Sequence, residues 1–193
     1  MEVFFIGKAM EQSIIMDKQD IDRTLKRMTH EIWERNRGAD NFYLIGIRRR
    51  GVTIANRIAR YFKEFEGINI EVGALDINLY RDDLSEVASQ PIIKKTEIPF
   101  KVTGARILLC DDVLFTGRTI RAALAGIVDM GRPQVIRLLT LLDRGHRELP
   151  IQPNYVGNIV STSRDESVEV MLEEDDGIDQ VIITRGEIDG SES

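Results

Sequence analysis

Apolar residues recur along this chain in two alternating rhythms, one helical and one extended. Ile21, Leu25, Met28 and Ile32 fall at i, i+4, i+7 and i+11, which predicts an amphipathic helix over Lys18–Asn36 with Arg23, Lys26, Arg27 and His30 off the apolar stripe. Phe42–Ile47 is a short apolar run of strand type, and Val52, Ala55, Ile58, Ala59, Phe62 and Phe65 mark a helix behind it. Ile70–Leu79 alternates as a strand does. From about 82 to 100 the chain is polar, carries Pro91 and Pro99 and has no period, which predicts a long loop or floppy hairpin. A further strand, Ile107–Cys110, leads into a helical run reaching Met130, and Val135–Leu142 forms the next strand. Strands alternating with helices predict an α/β fold with a parallel sheet and ligands at the carboxyl ends of its strands.

Composition narrows the class. The 193 residues, 42% of them hydrophobic, suffice for one α/β domain with a full core and no second of ordinary size. No apolar run approaches the ~18 residues of a membrane span, and the opening Met-Glu-Val-Phe-Phe lacks a basic leader, so a cytoplasmic protein without membrane attachment is expected. A single cysteine, Cys110, precludes an internal disulfide and suits a reducing compartment. The net charge of −6 is uneven, since Asp165–Ser193 holds eleven acidic residues and one arginine while the preceding part carries 25 basic and 21 acidic residues. Glu173-Glu174-Asp175-Asp176-Gly177 reads as an acidic turn between strands, and 186–193 as a frayed acidic tail.

The candidate chemistry concentrates in Ile107–Ala123, ILLCDDVLFTGRTIRAA. An apolar strand ends at Asp111 and Asp112, and after Val113, Leu114 and Phe115 come Thr116-Gly117-Arg118-Thr119 and a helix. Glycine lets the loop approach a ligand closely, and the helix adds unpaired N–H groups and the positive end of its dipole, which together form an anion cup suited to phosphate. Two carboxylates beside a phosphate need a different guest, either vicinal hydroxyls or Mg²⁺, and a ribose 5-phosphate meets both halves. No G-x-x-x-x-G-K-[ST] occurs, which disfavours a nucleoside triphosphatase, and Glu34 stands where an H-E-x-x-H motif starting at His30 needs its second histidine. Arg48-Arg49-Arg50-Gly51, between a strand and a helix, offers guanidinium forks to a diphosphate.

The Asp-Asp and Thr-Gly-x-Thr segment resembles the 5-phosphoribosyl diphosphate (PRPP) motif of type I phosphoribosyltransferases. With Ile45–Gly51, Asp76–Leu84, Gly131-Arg132-Pro133 and Leu142–Pro150, the chain resembles, from about Met16 to Met171, the PyrR family of pyrimidine operon attenuation regulators that are also uracil phosphoribosyltransferases. The resemblance implies a type I phosphoribosyltransferase fold, a central mostly parallel sheet flanked by helices, with a small hood and a flexible loop. It implies a PRPP and UMP site made of Arg49, Arg50, Gly51 and the segment Asp111, Asp112, Val113, Leu114, Phe115, Thr116, Gly117, Arg118 and Thr119, with Arg144 and Val168 bordering the pyrimidine. Catalytic roles fall to Asp111, Asp112 and Arg81, the last on a loop that closes over the reaction centre. Mg²⁺ would be carried by PRPP without direct protein ligation, diphosphate and UMP would be the products, and the assembly would be a dimer or higher homo-oligomer. In the family the basic turn reads Thr-Arg-Gly, and Arg49 replaces that threonine here. Type I members share the acid pair and the cup, so uracil rather than hypoxanthine or orotate is implied by the resemblance in Leu142–Pro150 alone.

The resemblance also implies a basic face that binds a pyrimidine operon leader hairpin, favoured by UMP. Arg27, His30, His146 and Arg147 match that face, with Arg23 and Lys26 beside it, whereas Gln152 and Asn158 stand where attenuating members carry cations. Two lost phosphate contacts weaken RNA affinity by about one to two orders of magnitude at moderate salt. Three readings follow: an enzyme and regulator together, an RNA-binding regulator with little activity, or a transferase without RNA binding.

Overall fold

The computed structural model describes residues 11–36, 38–77 and 96–185. Arg81, most of the expected 82–100 loop and the 186–193 tail lie outside them. Five parallel strands form the central sheet, β2 (Phe42–Ile47), β3 (Val72–Leu75), β4 (Arg106–Leu114), β5 (Val135–Asp143) and β6 (Tyr155–Ile159), in the order β3-β2-β4-β5-β6. Helices α1 (Lys18–Asn36) and α2 (Arg50–Glu66) pack on one face and α3 (Arg118–Met130) on the other. A separate antiparallel sheet, β1 (Glu11–Met16), β8 (Gln180–Arg185) and β7 (Ser167–Met171) in that order, makes the hood, with the short helix α4 (Glu173–Asp176) between β7 and β8.

The stripe of α1 is buried as its spacing predicts: Ile21, Leu25, Met28 and Ile32 are all closed to solvent. Each such side chain contributes about 1.5–3 kcal/mol. They meet Phe62 and Tyr61 of α2, Leu108 and Cys110 of β4, and Val170 and Val181 of the hood in one core, while Ile45, Ile107, Leu109, Ile120 and Ala123 form the core on the α3 side. No helix among the described residues is long and apolar enough to cross a membrane.

Several elements depart from the sequence pattern. Among the described residues, the alternation from Ile70 resolves to a strand over Val72–Leu75. Phe65 is exposed although it continues the α2 stripe, and it stacks on His30, 4.5 Å between ring centroids. Val128 is likewise exposed on α3. The last residues of the expected loop are docked: Glu97 bridges to Ala74, and Phe100 stacks on Tyr43 at 4.1 Å. β4 does not stop at its acids, because its ladder with β5 continues through Asp111↔Thr140 to Leu114↔Asp143.

This extension shapes the site. After β2 the chain crosses through α2 to β3 on one side, then returns to β4 on the other, so the sheet order reverses between β2 and β4. Such a switch point opens a crevice at the carboxyl ends of the strands. The β2–β4 ladder ends at Gly46↔Cys110, and Asp111 and Asp112 are the first residues of β4 beyond it.

Candidate functional site

A cleft of about 360 Å³ occupies the switch point, walled by Ile47, Arg48, Arg49 and Arg50 after β2, Asp76 and Ile77 after β3, Asp111, Asp112 and Val113 of β4, and Thr119 of α3. Two glycines bring the first turn of α2 against the sheet. A Cβ on Gly51 would lie 2.4 Å from the Cys110 carbonyl, and one on Gly46 would lie 2.3 Å from Val52 Cα. The Arg48–Arg49 peptide in this turn is cis. Asp76 and Ile77 are absent from the set of site residues expected from the sequence, where they fall inside a strand running to Leu79, although Asp76–Leu84 is one of the segments that carry the resemblance.

The acid pair is held by its own backbone. Asp111 Oδ1 accepts from the Asp112 amide at 3.1 Å and Asp112 Oδ1 from the Val113 amide at 2.8 Å. Burial pushes the Asp111 carboxyl well above the usual aspartate range, and the charge of Asp112 adds to the shift. Asp112 is also raised by burial, although its own amide contacts and the Arg50 guanidinium oppose this. Cys110 is fully buried and its thiol is pushed up by burial and by Asp111, which leaves it a packing residue.

Beyond β4, Gly117 at φ 91° is the N-cap of α3, the Arg118 amide donates to Thr116 Oγ1 at 3.3 Å, and no acidic residue sits in the first turn. The helix therefore presents unneutralised N–H groups at the cleft rim where Thr119 lies. The loop is braced from behind: Glu148 and Leu149 amides donate to the Thr116 carbonyl at 2.9 and 3.1 Å, and the Arg144 amide to the Leu114 carbonyl at 3.1 Å. Arg118 turns away from the cleft to Glu148 at 2.7 Å.

Arg147 supplies more of the same bracing. Its guanidinium donates to the carbonyls of Ile151 and Phe115, each at 2.9 Å, and of Gly145 at 3.1 Å, and it pairs with the Asp143 carboxylate. Arg144 is buried, lies 4.2 Å over the Phe115 ring, and donates to the carbonyls of Ser163 and Glu166 at 3.0 and 2.6 Å. His146 meets the Thr162 carbonyl at 2.6 Å, and Val168 sits half-buried on β7.

On α1, Arg23 pairs with Asp20, Lys26 with Asp22 at 2.7 Å, and Arg27 donates to the Gly157 carbonyl of β6 at 2.6 Å. Arg35 donates to the Asn154 carbonyl at 3.2 Å. Arg27 and Arg35 thus rest along the outer sheet strand while Arg23 and Lys26 pair within α1, whereas His146 and Arg147 belong to the elbow after β5.

The hood reaches the basic turn through α4. Arg50 donates from Nε and Nη2 to the two oxygens of Asp176, each at 3.0 Å, Thr53 donates to Asp175 at 2.5 Å, and buried Arg57 pairs with Asp179 at 2.6 Å and with Glu174. Residues 50, 53 and 57 share one face of α2, so the acidic turn is a clasp between hood and body.

A phosphoribosyl transferase domain matches residues 11–171. The bifunctional protein PyrR of Pelotomaculum thermopropionicum is 54% identical over 175 residues, covering 91% of this chain and 97% of that protein, and that of Deinococcus radiodurans is 52% identical over 170 residues, covering 88% and 93%. The chain belongs to the PyrR family. A hypoxanthine phosphoribosyltransferase structure from Trypanosoma cruzi, 16% identical, superposes with a TM-score of 0.71 over 91% of this chain and 96% of that one, which extends the agreement in fold to distant phosphoribosyltransferases. Membership in the PyrR family accounts for a phosphoribosyltransferase fold whose strand-end acids open on a cleft beside a basic turn.

Proposed function

We propose that the protein transfers the 5-phosphoribosyl group of PRPP to uracil, forming UMP and diphosphate, and that it is also a UMP-responsive regulator acting on pyrimidine operon leader RNA. The observation that carries the transferase reading is the position of Asp111 and Asp112 at the step where β2 has left β4, between the Arg48–Arg50 turn and the start of α3. In this reading the carboxylates accept hydrogen bonds from the ribose hydroxyls, the Thr116–Thr119 loop and α3 hold the 5-phosphate, and Arg49 and Arg50 face the diphosphate.

As the bond from C1 to diphosphate lengthens, the sugar becomes oxocarbenium-like and negative charge collects on the leaving group. Arginines fixed at that end stabilise the charge without reorganising, and the acids hold the sugar in line for a uracil nitrogen. No protein nucleophile is needed. Arg144, Phe115 and Val168 border the base, and Arg81 belongs to the closing loop. Mg²⁺ would be carried on diphosphate oxygens and water, and the cleft carboxylates Asp111 and Asp112 would accept hydrogen bonds from its water ligands. Bound there, it would neutralise leaving-group charge.

The regulatory reading is favoured by the exposed cations of α1, and a single-domain, cytoplasmic homo-oligomer suits both activities. A turnover assay with PRPP and uracil, hypoxanthine or orotate tests the transferase. UMP formation with uracil at least ~10²-fold faster than with the other bases is expected, since polar groups placed for one base reject another. No turnover with any base would defeat the reading.

A further inference from the structure

Arg50 lines the cleft, yet its strongest fork is engaged by the hood. Nε and Nη2 each donate to Asp176 at 3.0 Å, Glu169 of β7 stands 3.7 Å from the same Nη2, and Arg49 Nη2 adds a 3.3 Å contact to Asp176 Oδ1. A carboxylate and a phosphate grip a guanidinium through the same pair of parallel N–H groups, and that pair serves one of them at a time. The Arg50 guanidinium holds the Asp176 carboxyl below the usual range, so the acid stays charged throughout neutral pH.

We propose that Asp176, assisted by Glu169, is an intramolecular anion that competes with diphosphate for Arg50. Occupation of the basic turn by ligand then frees the Asp176 and Glu169 carboxylates from Arg50. The inference rests on the reading of Arg49 and Arg50 as the diphosphate site.

The surroundings permit a local release. Arg57 stays paired with Asp179 and Glu174, and the Leu172 amide donates to Asp176 Oδ2 at 3.0 Å, so α4 remains anchored while Arg50 changes partner. A site available for only a tenth of the time binds about tenfold more weakly than its intrinsic affinity. The clasp thus sets PRPP affinity and links it to the hood.

Calorimetric titration of the full chain with inorganic pyrophosphate, alongside thermal melts, tests this with Asp176→Asn, Glu169→Gln and Arg50→Ala. Asn keeps an acceptor for the Leu172 amide but removes the competing charge, and pyrophosphate affinity is expected to rise about five- to tenfold. Glu169→Gln, which leaves α4 untouched, should raise it about twofold, as for a half-exposed pair, and UMP affinity should stay level in both. Arg50→Ala should lose pyrophosphate affinity. Wild-type pyrophosphate binding by Arg50→Ala overturns the reading of the basic turn itself. Loss in Arg50→Ala with unchanged or weaker binding in both hood variants overturns the competition alone, and Glu169→Gln decides if Asp176→Asn does not fold.

Discussion

Thr140 stands opposite Asp111 in the β4–β5 ladder, and its hydroxyl is fully buried without a hydrogen-bond partner among the described residues. An unsatisfied buried hydroxyl costs about 1–3 kcal/mol, whereas valine keeps the β-branched shape a strand favours. Thr140→Val is therefore expected to stabilise by about 1 kcal/mol, seen as a Tm about 2–4 °C higher for a chain of this size. A lower Tm would mean that the hydroxyl has a stabilising partner.

Asp111→Asn or Asp112→Asn should lower uracil turnover by at least ~10²-fold, as expected when a group positioning the reacting sugar is lost. For Asp111 stability should move the other way. Its folded pKa lies above the ordinary value of 3.8, so the native state binds more protons than the unfolded chain above that pH and loses stability as pH rises towards the folded value. The raised pKa therefore costs stability at pH 7, and Asp111→Asn should melt higher than wild type, with a gain that shrinks towards pH 4. Near wild-type turnover in either folded variant would remove the acids from the ribose.

Arg147 distinguishes bracing from RNA contact. Arg147→Ala strands the buried Asp143 carboxylate and should cost about 3 kcal/mol, or roughly 6–12 °C in Tm, with a fall in uracil turnover as the Arg144 elbow loosens. A stable, active variant defective only in a gel shift with leader RNA would return Arg147 to an RNA face.

How much was legible beforehand follows from what side chains encode locally. The bounds of α1 and β2 could be read because Ile21 to Ile32 and Phe42 to Ile47 are buried by local periodicity alone. The end of β4 could not: apolar residues stop at Cys110, but strand continuation depends on β5 amides and carbonyls that side-chain polarity does not report. β6 was missed because Tyr155–Ile159 is half-exposed and short. The acid pair could be read as a cleft feature from the apolar run before it, although β4 continues past it to Leu114. The clasp was not, because Arg50 and Asp176 lie 126 residues apart and each reads by itself as a solvated charge.

For leader RNA we expect weak binding that falls steeply with salt and improves on adding UMP, since the exposed α1 cations meet phosphates. Arg27→Glu should abolish it while uracil transfer persists, at a stability cost of about 1 kcal/mol for the lost Gly157 hydrogen bond. A tight complex indifferent to Arg27→Glu would place the RNA elsewhere.

The arginines along β6 have a separate bearing on self-association. β6 is the outer strand of the parallel sheet, and an uncovered outer strand templates pairing with another chain. Arg27 and Arg35 occupy the carbonyls of Gly157 and Asn154, and Gly157 lets α1 lie close enough that a Cβ there would sit 2.8 Å from Thr24 Cγ2. These cations therefore occupy part of the edge at which another chain could pair, with the exposed Ile159 at the strand's end. A phosphate backbone that drew Arg27 off Gly157 would have to cover the edge it uncovered, so any RNA contact through this side chain would bring a bare strand edge with it.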